Sequence, residues 1–251
     1  MKAIKNNIII GDKRISQLQM DLGSGTWPEF MQQDKIVNKY WSSLYTKFSD
    51  FQCAILDNNN LLGIGNSIPI NWHQPFAKLP DGGLDWAMEK ANNDFLLNLT
   101  PNILIGVQIL INPDYQNQGL SYKILDVMKG IAKKNGFSNI ALPVRPTLKS
   151  KYPLIPMDDY IHWLNDDKLP FDPWIRVHIK AGGRIIKACH KSMEISGTLL
   201  DWEEWSNTHF QTSGDYIIDK ALVPISVDIE KNIGTYIEPN LWIVHDVNYR
   251  L

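Results

Sequence analysis

Gln116-Asn117-Gln118-Gly119-Leu120-Ser121 is the segment of this chain with the most to offer chemically. It is polar, carries a glycine, and runs straight into residues with helical periodicity, which predicts a helix N-terminus. Unpaired N–H groups and the positive end of the helix dipole make such a terminus a seat for phosphate. Gly119 has no Cβ, so a ligand can approach the backbone closely there. Two common phosphate motifs do not fit. The dinucleotide fingerprint G-x-G-x-x-G lacks its other glycines, and a P-loop requires Lys directly after the glycine, where Leu120 stands.

Other reactive groups are less well placed. Cys189 and His190 are adjacent in a strand-like stretch, so their side chains are expected on opposite faces. There is no G-x-S-x-G elbow, and the six histidines show neither H-E-x-x-H nor a clustered ligand spacing, so no metal is expected. Cys53 and Cys189 cannot build a disulfide framework and read as reduced, buried thiols.

The elements that must position the loop are legible. Residues 103–111 form a continuous apolar run of strand length, as expected of a strand buried on both faces. A helix is predicted over 120–134, with Leu120, Ile124, Val127, Met128 and Ile131 on one stripe, lysines near its end and Asn135-Gly136 as its stop. A second strand is predicted over 139–144. Strand, polar loop, helix and strand within 101–145 make a βαβ-type unit whose loop faces the helix N-terminus. Upstream, the pattern predicts one helix over 28–49, strands over 51–56 and 61–70, and an irregular insertion leading into a helix over 84–97. Downstream, Asp172-Pro173-Trp174 reads as an N-cap with Pro at the first helical position. That helix should end at Gly182-Gly183, followed by a strand over 184–193, a helical turn at 202–205 and closing strands over 216–229 and 234–247.

In this setting the loop resembles the Q/R-x-x-G-x-G/A signature of the GNAT superfamily of N-acetyltransferases, with Ser121 in the last small position. It stands where that family places it, after a buried strand and opening a helix. The resemblance implies an α/β, GNAT-like acyl-CoA N-acyltransferase fold. Its mixed central sheet would be splayed between two strands, with helices on both faces and enlarged insertions. It would form one domain over 1–251, with a cofactor unit at 101–145 and insertions at about 71–97 and 146–171. The resemblance further implies that backbone N–H groups of Gln116, Asn117, Gln118, Gly119, Leu120 and Ser121 hold the coenzyme A pyrophosphate. The pantetheine arm would pair along Ile109, Leu110 and Ile111. Pro143 cannot donate to a ladder, which suits the edge of such a splay and equally an ordinary edge strand.

Val177-His178-Ile179-Lys180-Ala181-Gly182-Gly183 resembles the family's last helix, F-Y-x-x-x-G-F, and places His178 where the family has the tyrosine that protonates the departing thiolate. A histidine near its ordinary pKa of about 6.5 can donate to a thiolate; packing against Trp174 is the alternative role. Tyr152 is a rival acid, and Arg145 and Lys149 could meet coenzyme phosphates. The resemblance implies direct attack of an amine on the thioester of acetyl-CoA, with the oxyanion met by a backbone N–H near Leu110 or Ile111. Many relatives carry a basic carboxylate on that first strand. Here its only polar side chain is Gln108, so the base is Asp85, Glu89, Glu238 or solvent.

The resemblance implies a small-molecule or peptide amine as acceptor, and the composition is that of a globular protein. Hydrophobic residues make up 44% and charged residues 21% of 251, and the net charge is −2, so no global field favours nucleic acid or an anionic membrane. No segment has the roughly 18 apolar residues of a membrane span, and a cytoplasmic location is expected. Nine tryptophans all fall outside 87–162, and some of Trp72, Trp86, Trp163 and Trp174 are candidates for an apolar acceptor wall. The alternative function is a catalytically silent protein that binds coenzyme A or an acyl-CoA as a sensor or scaffold.

Overall fold

The computed structural model describes residues 6–23 and 27–248. In chain order the strands are β1 (Asn6–Ile10), β2 (Cys53–Asp57), β3 (Asn60–Ile70), β4 (Ile103–Ile111), β5 (Asn139–Val144), β6 (Gly183–Gly197), β7 (Gly214–Tyr216), β8 (Ile225–Asp228) and β9 (Ile233–Asp246). The helices are α1 (Arg14–Gly23), α2 (Lys35–Tyr40), α3 (Ser43–Thr46), α4 (Gly83–Leu96), α5 (Leu120–Lys134), α6 (Met157–Tyr160), α7 (Pro173–Lys180) and α8 (Leu199–Ser206). The strands form one sheet in the order β1-β2-β3-β4-β5-β9-β8-β7, with β6 on the other side of β9. Only β4 and β5 run parallel; the other pairings are antiparallel.

Side-chain alternation assigns the two faces of the sheet. Cys53, Ile55, Leu62, Leu104, Ile140, Leu142 and Ile243 point to the face covered by α5 and α7. Ala54, Leu56 and Ile64 pack with Ile15 of α1, and Ile68, Ile70, Ile105, Ala141, Trp242 and Val244 pack with α3 and α4 on the opposite face. Gly65 lets α5 lie close on its face, since a Cβ there would stand 2.6 Å from Ile124 Cγ2.

The strand, helix and strand expected over 103–111, 120–134 and 139–144 form with those boundaries, and Asp172 caps α7 by accepting from the N–H groups of Trp174 and Ile175. Two expectations are corrected. The helix predicted over 28–49 is a 3-10 turn (Glu29–Gln33), then α2, α3 and a second 3-10 turn (Ser49–Phe51). Asp34 is extended and caps a new helix through Val37, and Ser43 turns its hydroxyl onto the Tyr40 carbonyl, so local side-chain bonds compete with continuous helix. The strand predicted over 216–229 is two short strands, β7 and β8, paired with each other, because the intervening chain turns through Lys220 at φ 64°.

Candidate active site

The loop before α5 is built to leave donors free. Asn112 ties its start to β3, donating from its backbone N–H to Leu62 and from its side chain to Leu61, and its Oδ1 accepts from Asp114. Asn117 and Gly119 are left-handed, at φ 60° and 71°, and residues 116–119 are exposed. Gly119 is the N-cap of α5, and no side chain caps the first turn. Nothing lies within 4 Å of where a Gly119 Cβ would project. Uncapped N–H groups on a positive helix end, beside open space, fit a diphosphate.

Beside this loop the sheet parts. β4 and β5 share only two register pairs, Leu104↔Ile140 and Ile105↔Ala141. Beyond them β4 continues to Ile111 along β3 alone, while β5 continues to Val144 along β9. Leu142 fills the vertex: a Cβ on Gly106 would stand 2.4 Å from its Cδ2. Immediately past the vertex, Asn66 pairs with Gln108 and Ser67 with Gly106, leaving Val107 as the extra residue of a β-bulge. Ile109 and Ile111 are half-buried and Leu110 is 6% exposed. Leu110 and Ile111 lie five and six residues past the last pair, so the backbone donors nearest the vertex belong to the bulge, residues 106–108.

The bulge carries a polar group that the apolar strand pattern conceals. Asn66 is fully buried between Ile64 and Ile68 on the α1/α4 face. Its Oδ1 accepts from Tyr45 Oη at 3.3 Å, and its Nδ2 donates to Gln19 Oε1 at 3.2 Å and Gln108 Oε1 at 3.1 Å. Burial pushes the Tyr45 phenol up, so it remains a neutral O–H. An asparagine inside the run Leu61–Ile70 was the available sequence signal; its partners, from α1, α3 and β4, were not.

The candidate acids separate. His178 is 0% exposed, with Nδ1 3.0 Å from His245 Nε2 and the Trp174 ring edge-on at 4.6 Å. Burial, the second imidazole and Lys129 hold its pKa well below the ordinary value; burial and Lys129 bring His245 to about 4. Both rings are therefore neutral at physiological pH and share one proton between them. This corrects the expectation of a histidine near its ordinary pKa. The imidazolium is absent, and His178 Nε2, which has no partner among the described residues, offers at most a neutral N–H. Tyr152 lies elsewhere, in an aromatic cluster with Tyr160, Trp163 and Phe171 at ring distances of 6.2, 4.9 and 5.8 Å. His178 and Tyr152 are not brought together: one sits in the last turn of α7, the other against the chain that leads into it.

Arg145 is a correction. Its Nε donates to both carboxylate oxygens of Glu238 at 3.1 and 2.9 Å, and Nη2 donates to the Lys220 carbonyl at 2.7 Å. β9 pairs with β8 at residues 233–235 and with β5 at 241–246, so the stretch between has β6 alone. Arg145, immediately after β5, turns into that gap. Glu238 is 0% exposed and also accepts from Tyr236 Oη and Asn240 Nδ2. It is a locked, buried carboxylate. Lys149 is likewise buried, donating to the carbonyls of Tyr152 and Leu222; burial lowers its pKa to about 8.

Asp85 is the most perturbed base candidate. Burial and then the charge of Asp34 raise it to about 8. Asp34 Oδ2 and Asp85 Oδ1, which have no other partner, belong to the same carboxyl pair, and one shared proton satisfies both. The pair joins the N-cap of α2 to the first turn of α4 and to the Glu194 N–H of β6. Trp72, Trp86 and Trp242 form an edge-to-face chain on the α4 face, at 5.5 and 6.1 Å, whereas Trp163 and Trp174 lie on the α7 face. Among the described residues no group of three or more His, Cys, Asp or Glu could hold a metal, both cysteines are free and buried, and no helix is long and apolar enough to cross a membrane.

Solved structures carry the same fold. The loading GNATL domain of CurA from Lyngbya majuscula superposes with a TM-score of 0.63 at 17% identity, covering 98% of this chain and 99% of that one. The GphF GNAT-like decarboxylase, solved with isobutyryl-CoA, gives 0.61 at 12% identity over 96% and 100%. A sheet that parts after two parallel pairs, beside an uncapped helix led by Gly119, belongs to a GNAT-like fold. No family model matches the chain. In sequence it is similar to the arginine N-acetyltransferase avaD of Aspergillus versicolor, 28% identical over 253 aligned residues, 90% of this chain and 87% of that protein.

Proposed function

We propose that this chain transfers the acetyl group of acetyl-CoA to the amine of an amino-acid acceptor, with arginine the first to test. The observation that carries the proposal is the two-pair ladder between β4 and β5 beside the uncapped N-terminus of α5. Similarity to an arginine N-acetyltransferase over most of both chains supports the acceptor class.

In this reading, N–H groups of the 116–121 loop and the first turn of α5 hold the pyrophosphate. The unpaired edge of β4 from Ile109 to Ile111 takes the pantetheine arm. A backbone N–H of the bulge, residues 106–108, meets the oxyanion as the amine attacks the thioester carbonyl. Glu238 is unsuited to receive the ammonium proton because Arg145 holds it, and solvent or the Asp34–Asp85 pair remains. A neutral His178 can donate a hydrogen bond from Nε2 to the departing thiolate but keeps that proton; the thiolate takes its proton from the attacking ammonium or from solvent.

The test is a thermal shift with acetyl-CoA, free CoA and ATP, followed by thiol release across an amine panel that includes arginine. Stabilisation by acetyl-CoA and CoA, with thiol released on adding arginine, is expected. Stabilisation by ATP alone would overturn the proposal. Binding without thiol release for any amine would make the protein a coenzyme sensor.

A further inference from the structure

We infer that Gln108 binds the carboxylate of the acceptor, so that the enzyme acts on free α-amino acids in preference to the corresponding decarboxylated amines. This rests on the proposed acetyl transfer and specifies its acceptor. Gln108 is the only polar side chain of β4; it is half-buried and sits at the bulge two residues past the vertex of the splay. Its register partner Asn66 points to the face opposite α5, so Gln108 is presented on the side away from the helix that opens at the coenzyme loop.

The network decides which end of the Gln108 amide faces outward. Among the described residues Tyr45 Oη has Asn66 as its one hydrogen-bond partner. If Asn66 offered its amide nitrogen to Tyr45, the phenolic proton would have no acceptor among the described residues. With Asn66 Oδ1 towards Tyr45, that proton is used, and both Asn66 N–H groups reach carbonyl oxygens, those of Gln19 and Gln108. Gln108 Oε1 is thereby occupied, and its two Nε2 protons are the ones presented at the bulge. A primary amide neither accepts the ammonium proton nor supplies a charge; it offers donors at a fixed position. An arginine-like acceptor carries an amine, a cationic side chain and a carboxylate. The cations are donors only, so the carboxylate alone complements Gln108. Holding it there keeps the adjacent α-amine within reach of the bulge.

The experiment measures steady-state kcat and KM of the full chain for arginine and for agmatine, which is arginine without its carboxylate. It compares the unaltered enzyme with Gln108→Met, Gln108→Glu and Tyr45→Phe, and titrates acetyl-CoA into each by calorimetry. A hydrogen bond to a charged group is worth about tenfold or more in affinity. The arginine-to-agmatine ratio of kcat/KM is therefore expected to fall about tenfold in Gln108→Met, through the KM for arginine, with acetyl-CoA affinity retained. Gln108→Glu should fall further, since carboxylate would face carboxylate. Tyr45→Phe should lower the ratio by a smaller factor, because it removes only the proton that orients Asn66. An unchanged ratio in Gln108→Met, or a fall in kcat equal for both acceptors with KM unmoved, overturns the inference. So does an unaltered enzyme that takes agmatine as readily as arginine. Failure of the unaltered enzyme to bind acetyl-CoA would instead overturn the proposed function.

Discussion

Arg145→Met separates the two roles that Arg145 could hold. If it met coenzyme phosphates, its loss would weaken acetyl-CoA binding and leave folding alone. The structure places it against Glu238 at 2.9 Å, with side-chain exposures of 18% and 0%. Removing one partner of such a pair strands the other charge in the protein, which generally costs about 3–5 kcal/mol. Glu238 would keep the Tyr236 hydroxyl and the Asn240 amide as donors, which puts the expected loss at the lower end. For a chain of this size about 3 kcal/mol corresponds to a fall in Tm of roughly 6–12 °C. Differential scanning calorimetry should show that fall, and titration calorimetry should show acetyl-CoA affinity within about twofold of the unaltered protein. Adding Glu238→Gln should recover at least half of the loss, since the neutral amide no longer needs a counter-charge. An unchanged Tm with a large loss of acetyl-CoA affinity would refute this account and return Arg145 to the coenzyme.

Gly119→Val should weaken acetyl-CoA at least tenfold, whereas Gly119→Asn, which tolerates left-handed backbone, should weaken it much less. The distinction follows from φ 71° with open space around the missing Cβ, and equal affinities for both variants would exclude it. Asp85 has a folded pKa raised to about 8, against an ordinary 3.8. Its contribution to stability is therefore greatest below the ordinary value and is lost as pH rises towards 8. Asp85→Asn should consequently have the higher Tm at pH 9 and lose that advantage as pH is lowered to 5; a pH-independent difference would rule out the shared proton.

Where short-range signals decide structure, sequence reading succeeded. The nine-residue apolar strand, the α5 stripe with its Asn135-Gly136 stop, and the Asp172-Pro173 cap each involve residues a few positions apart. The rupture of the 28–49 helix is also local in origin, but the Asp34 cap was hidden within an otherwise continuous apolar period.

The sequence by itself determined the groups on offer: a polar loop with Gly119 at a helix start, a β4 with no carboxylate, and a histidine four residues after the Pro173-Trp174 helix start. Tertiary structure alone decided what those groups can do. Arg145 and Glu238 are 93 positions apart, and only the unpaired middle of β9 brings them together. His178 loses its imidazolium through burial first and then because His245, 67 positions away, shares its enclosure. Gln108 gains a fixed donor end because Asn66, Tyr45 and Gln19 converge on it. Protonation state and amide orientation depend on burial and on partners remote in the chain. Propensity and periodicity carry no information about either.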